Sequence, residues 1–233
     1  MTTIEIHAFD NQFFHAYIAR PQHHSSAPGI VVCQEIFGVN SGMRQICDGL
    51  AAQGYIAVCP DLFWRQERDI QLSDKTPEEM NVAFKLYEGF NVEHGITDLL
   101  ATMAAVRKLP ECNGSIGTVG YCLGGKLAYL LMARSDADCG VSYYGVGLDE
   151  LLHEVQDIRR PLLMHIAEQD KFVPAAAQAK ILHSVARNAL ITAEVYPGVD
   201  HAFARPDGVH YDATAATLAN QRTHDFFAAH LGR

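Results

Sequence analysis

The sequence predicts an α/β fold with a mostly parallel central sheet and helices on both faces. Three observations carry that expectation. Short apolar runs alternate with helix-patterned segments over most of the 233 residues, an order that yields parallel strands joined by crossover helices. Two opening strand-like segments, separated by Asp10-Asn11, have the pattern of an antiparallel hairpin. An apolar segment, Ser115 to Val119, runs into the turn Gly120-Tyr121-Cys122-Leu123-Gly124-Gly125, and a helix-forming segment runs out of it.

Taken in order, Thr3–Phe9 and Phe13–Ala19 form the expected N-terminal hairpin. Gly29–Cys33, Tyr55–Cys59, Ile116–Val119, Cys139–Tyr144, Leu162–Ile166 and Ile191–Tyr196 read as further strands. Helical periodicity falls near Gly42–Gln53, Pro77–Phe90, His94–Lys108, Gly125–Arg134, Ala175–Ser184 and Tyr211–His230. The polar stretch Trp64–Glu79 breaks the rhythm and reads as a loop. Together with the helix after it, residues 64–92 are expected to form an insertion, or lid, over the cleft. The chain shows no internal repeat, and the expectation is one domain over residues 1–233.

Composition excludes several function classes. A net charge of −9 with no Lys/Arg-rich tract argues against nucleic acid or an anionic membrane as partner. No apolar run approaches the roughly 20 residues of a membrane span, and Met1 to His7 lacks the pattern of a secretory signal. Cys33, Cys47, Cys59, Cys112, Cys122 and Cys139 are scattered without paired metal-ligand spacing, so they read as reduced thiols of a cytoplasmic protein. On this reading the sequon Asn113-Gly114-Ser115 is a chance match.

In an open parallel sheet the carboxyl ends of the strands line the functional crevice. Here those ends supply a thiol, several carboxylates and a histidine. Cys122 is at the apex of a strand–turn–helix unit that fits Gly-x-nucleophile-x-Gly, where glycines let a strained turn approach neighbouring backbone. A cysteine nucleophile needs a base or positive partner, and the base needs a third group to orient it. Asp170 follows the strand Leu162–Ile166, and His201 follows Ile191–Tyr196. Each has an ordinary alternative: a buried structural thiol for Cys122, a helix cap for Asp170, and a satisfied surface residue for one of 12 histidines. Asp200 is a second candidate to orient His201, although adjacent side chains on an extended loop point apart. Glu35 ends an apolar strand and is a candidate carboxylate at the floor of the cleft, with an ion pair to Arg205 as its structural alternative. The amides of Leu123 and Ile36 are the expected oxyanion donors.

Gly120 to Lys126 also satisfies Gly-x4-Gly-Lys, the core of a phosphate-binding loop. The next residue should be Ser or Thr to hold Mg²⁺. It is Leu127, which removes the ligand that chemistry requires.

Together, Gln34-Glu35-Ile36-Phe37-Gly38-Val39-Asn40, Gly120 to Gly125, Gln169-Asp170-Lys171-Phe172-Val173-Pro174 and His201-Ala202-Phe203-Ala204-Arg205 resemble the dienelactone hydrolase (carboxymethylenebutenolidase) family of the α/β-hydrolase fold. The resemblance spans essentially the whole chain. It implies that Cys122, Asp170 and His201 form a triad and that Glu35 helps switch the thiol to thiolate when substrate arrives. It also implies that Arg205 is the partner of Glu35 and contacts the substrate. The expected wall of the substrate site includes Phe37 and the helix carrying Met80, Phe84 and Tyr87. Chlorocatechol-pathway members have arginine, tyrosine and tryptophan at those last three positions, so this chain lacks a cation and a hydroxyl for a substrate carboxylate.

The expected activity is hydrolysis of a lactone or activated ester through a thioester on Cys122. The alternatives are a broader carboxylesterase, or a non-catalytic thiol redox sensor on the same fold. No metal or organic cofactor is required. The expected partner is a small-molecule ester or lactone, for a monomer or homodimer.

Overall fold

The computed structural model describes residues 2–22 and 26–232. Its eight strands follow the order β1-β2-β4-β3-β5-β6-β7-β8 in one sheet. The chain divides into two compact units, one reaching Gly117 and the other running from Thr118 to Gly232.

In the first unit, β1 (Thr3–His7) and β2 (Phe13–Ala19) are antiparallel, with Thr3 opposite Tyr17 and His7 opposite Phe13. Asn11 takes the left-handed conformation at φ 63°, which asparagine tolerates better than most residues, and the Asp10 side chain accepts the Gln12 amide. The first strand therefore stops at His7, short of Phe9, because the chain has already begun to turn. β3 (Ala27–Cys33) runs parallel to β4 (Ile56–Pro60), and β4 is also antiparallel to β2. Every residue of β3 and β4 is buried, as expected of strands covered on both faces.

Three helices accompany these strands, each with a capping side chain at its N-terminus. Asn40 caps α1 (Ser41–Ala52), Thr76 caps α2 (Pro77–Glu88) and Asn91 caps α3 (Val92–Arg107). Pro77 stands at the first position of α2, where its missing N–H costs nothing. The segment from Trp64 to Thr76 forms turns rather than helix, as its polarity predicts. It is fastened to the loop after β3: Leu72 donates to the Phe37 carbonyl at 2.9 Å, and the Asn40 amide donates to the Leu72 carbonyl at 2.8 Å. Gly38 is required there. Its φ is 72°, and a Cβ would stand 2.0 Å from the Ile70 carbonyl oxygen.

β5 (Cys112–Tyr121) passes from the first unit into the second. It begins four residues before the apolar run that predicted it, including Gly114 at φ 94°. α4 (Leu123–Arg134) starts immediately after the Cys122 turn, two residues ahead of the expected start. β6 (Cys139–Tyr143), β7 (Leu162–Ala167) and β8 (Ile191–Tyr196) are parallel, with Gly140 beside Leu162 and Leu162 beside Ile191. α5 (Ala175–Val185) follows β7, and α6 (Ala213–His230) follows β8 with Asp212 as its cap.

A buried polar chain joins α6 to this part of the sheet. His165 Nδ1 lies 2.8 Å from the Tyr196 hydroxyl, and its Nε2 lies 2.9 Å from Thr223 Oγ1. Thr223 meets the Tyr143 hydroxyl at 2.7 Å. Burial holds the imidazole neutral and pushes its pKa down to about 3. Among the described residues no helix is long and apolar enough to cross a membrane.

Candidate active site

Cys122 has φ 56° and ψ −115°, a conformation that costs a non-glycine residue about 1–3 kcal/mol and persists only where the surroundings impose it. The imposition comes from the end of β6. The Cys122 amide donates to the Tyr143 carbonyl at 3.1 Å, and the Ser142 hydroxyl donates to the Gly125 carbonyl at 2.8 Å. A Cβ on Gly125 would stand 2.5 Å from the Tyr143 carbonyl oxygen. This close approach is why the turn carries glycine there. Lys126 is the first residue to return a hydrogen bond to the Cys122 carbonyl, at 3.2 Å. The Leu123 amide therefore lies in the first turn of α4, where N–H groups have no intrahelical acceptor and attract negative charge.

Asp170 and His201 meet across two loops. His201 Nδ1 is 2.8 Å from Asp170 Oδ2. The other carboxylate oxygen accepts the amides of Phe172 at 2.8 Å and Val173 at 3.1 Å. Asp170 thus closes a local turn with one oxygen and holds the histidine with the other; it does not cap α5, whose N-cap residue is Pro174. Gln178 on α5 holds the same loop by donating to the carbonyls of Ala167, Glu168 and Val173.

His201 as a whole is 4 % exposed. Burial alone would lower its pKa, but the neighbouring Cys122 side chain first, and the Asp170 carboxylate after it, raise it to about 10. The structure thus brings Cys122, Asp170 and His201 together in the second unit. Nε2 itself is buried and lacks a hydrogen bond of ordinary geometry, so thiol and imidazole are neighbours without a fully formed bond. Burial pushes the thiols of Cys33, Cys47 and Cys139 up, which keeps them protonated.

Two residues of this unit, Tyr144 and Phe172, were given no role from the sequence. Tyr144 packs edge-on against His201 at 5.0 Å between ring centroids, and Phe172 does so at 4.9 Å. Asp200 leaves the imidazole to Asp170 and takes the His201 backbone amide at 2.7 Å, the Lys171 amide at 3.3 Å and the Lys171 ammonium at 2.9 Å. It therefore clasps the two loops that carry Asp170 and His201. Tyr144 has a sequence signal, being at a strand end, whereas the packing of Phe172 on His201 has none. Arg205, four residues after His201, is half-buried with its stem against Gly208.

In the first unit, Glu35, Ile36 and Phe37 are buried at the end of β3. Gln34 holds that end by accepting the Leu62 amide at 3.0 Å. Met80, Phe84 and Tyr87 are half-buried and lie one turn apart on one face of α2. Among the described residues no group of three or more His, Cys, Asp or Glu side chains is arranged to hold a metal ion.

Parallel strands followed in chain order by a sharp cysteine turn, an aspartate and a histidine are the plan of an α/β-hydrolase. The model of the dienelactone hydrolase family matches residues 14–231, and the chain belongs to that family. It is 52% identical to a provisionally named carboxymethylenebutenolidase of Azospirillum brasilense, with 100% of both chains covered. It is 42% identical to the carboxymethylenebutenolidase of Pseudomonas putida, over 97% of this chain and 95% of the other. A provisionally named dienelactone hydrolase from Klebsiella pneumoniae superposes with a TM-score of 0.86 at 27% identity, covering 97% of each chain.

Proposed function

We propose that this hydrolase opens lactones or activated carboxylic esters through a thioester on Cys122. The observation that carries the reading is the 2.8 Å contact of His201 with Asp170 beside a thiol displayed on a strained turn. Attack by the Cys122 thiolate places negative charge on the carbonyl oxygen, and the amides of Leu123 and Ile36 are assigned to receive it. The protonated His201 then gives its proton to the leaving oxygen. Once neutral, it takes a proton from water, which attacks the thioester and frees Cys122. Asp170 fixes the tautomer and balances the positive imidazolium.

Glu35 and Arg205 receive their roles from the family resemblance. Glu35 assists ionisation of the thiol, and Arg205 contacts an anionic substrate group. The apolar identity of Met80 and Phe84 supports weaker binding of carboxylate-bearing substrates than in the chlorocatechol-pathway members. Substrate preference should shift toward less charged lactones and esters. Replacing Cys122 with alanine tests the reading: hydrolysis of a chromogenic short-chain ester should disappear. Unchanged turnover would place the chemistry elsewhere.

A further inference from the structure

We infer that Phe172 is a specificity-determining residue that presents an aromatic surface to the leaving-group side of the ester. The inference rests on the proposed role of His201 as donor to the leaving oxygen. Its starting point is a contrast between the two rings packed on that imidazole. Tyr144 is 2 % exposed, whereas Phe172 is 53 % exposed. Tyr144 is part of the core and also packs on Phe203 at 5.6 Å. Phe172 leaves more than half its surface to solvent while keeping an edge-on contact of 4.9 Å and 71° with the histidine.

A lone exposed phenylalanine is ordinary on a protein surface. This one differs because its placement is set by the catalytic loop. Its own backbone N–H donates to Asp170 Oδ1 at 2.8 Å, so the carboxylate that orients the imidazole also fixes the Cα from which the ring projects. The imidazole nitrogen facing Asp170 is occupied, which leaves Nε2 to serve the leaving oxygen. That oxygen must come within hydrogen-bonding reach of Nε2. The group attached to it then begins one bond from the imidazole and lies against whatever borders that ring. In this unit the solvent-facing aromatic border is Phe172.

The geometry has a kinetic signature. Phe172 should favour aromatic leaving groups over small ones during formation of the thioester. Hydrolysis of the thioester should be indifferent to it, because the leaving group has gone. An aromatic pairing gained on the way to the transition state corresponds to about a three- to tenfold change in rate.

Phenyl acetate and trifluoroethyl acetate, which share an acyl group, separate the possibilities. Phe172→Ala should lower kcat/KM about three- to tenfold more for the phenyl ester than for the trifluoroethyl ester, relative to wild type. Phe172→Trp should restore the preference, and the decay of the common acetyl-enzyme should be the same in all three proteins. Equal losses on both esters would show that the ring only positions His201, and no loss on either would show that it does neither; both overturn the inference. Cys122→Ala is run alongside. If it retains turnover, the reading beneath falls and this inference with it; if it is inactive and the two esters still respond alike, only the role of Phe172 fails.

Discussion

His201 Nδ1 and Asp170 Oδ2 are 2.8 Å apart, with side chains 5% and 1% exposed, although they belong to loops that follow different strands. At that burial a charge-assisted hydrogen bond is stronger than its surface equivalent. It determines which imidazole nitrogen faces the carboxylate and leaves Nε2 on the other side. Asp170→Asn keeps the shape of the side chain but reverses the bond's preference between tautomers. It should lower kcat/KM by about 10²–10⁴-fold. It should also move the high-pH limb of the rate profile downward, since Asp170 is one of the two groups that raise the imidazole pKa. A profile of unchanged shape would contradict that part.

His165 and His201, both buried, should act on stability with opposite signs. His201 has a folded-state pKa raised to about 10 from an ordinary 6.5. Its contribution is therefore fully present below pH 6.5 and is lost as the pH rises through about 10. His165 is lowered to about 3, so below pH 6.5 the unfolded chain takes up a proton that the folded protein refuses. Stability should fall as the pH drops from 6.5 toward 3. Denaturant unfolding of His165→Gln from about pH 7, above that window, to about pH 4, within it, should show a shallower decline than wild type. Its stability at pH 7 should be lower by about 1–3 kcal/mol for disturbed hydrogen bonds. Parallel declines would mean that His165 does not stay neutral.

Asp200 separates an ion pair from a clasp. The Lys171 side chain is 74% exposed, so its pairing with Asp200 should contribute at most about 1 kcal/mol. Lys171→Met should leave kcat within about twofold of wild type. Asp200→Ala also releases the His201 and Lys171 amides and should cost about tenfold in kcat with little change in KM. Asp200→Asn, which keeps an acceptor oxygen, should fall between them. Equal losses for Lys171→Met and Asp200→Ala would assign the effect to the ion pair.

Met80→Arg places a cation on the α2 face shared with Phe84 and Tyr87. If that face borders the substrate, kcat/KM should rise about tenfold for a carboxylate-bearing lactone. Neutral esters should be unaffected. A uniform change across both substrate types would argue against such a border.

Much of this arrangement was legible in the sequence because it depends on local signals. Strand, glycine turn and helix around Cys122 are contiguous, and the placement of Asp170 and His201 after the last two strands follows from counting apolar runs. The hairpin was legible from Asp10-Asn11 for the same reason. What sequence did not reveal depends on side chains meeting across elements. His165 reads as one more strand residue, yet its ring is spent joining β8 to α6 through Tyr196 and Thr223. Phe172 lies within a segment singled out for Asp170, but its packing on His201 follows from the loop's curvature. Asp200 was weighed as a partner for the imidazole, and its carboxylate turned instead to the backbone of both loops.

The most direct measurement is rapid-quench intact-protein mass spectrometry during turnover of an activated ester, followed by peptide mapping. One acyl group should appear on Cys122 and decay at the rate of turnover. In His201→Ala the adduct, once formed, should decay more slowly than in the wild type, because water is no longer activated. Turnover with no adduct, or with an adduct mapped to another residue, would contradict a thioester mechanism at Cys122.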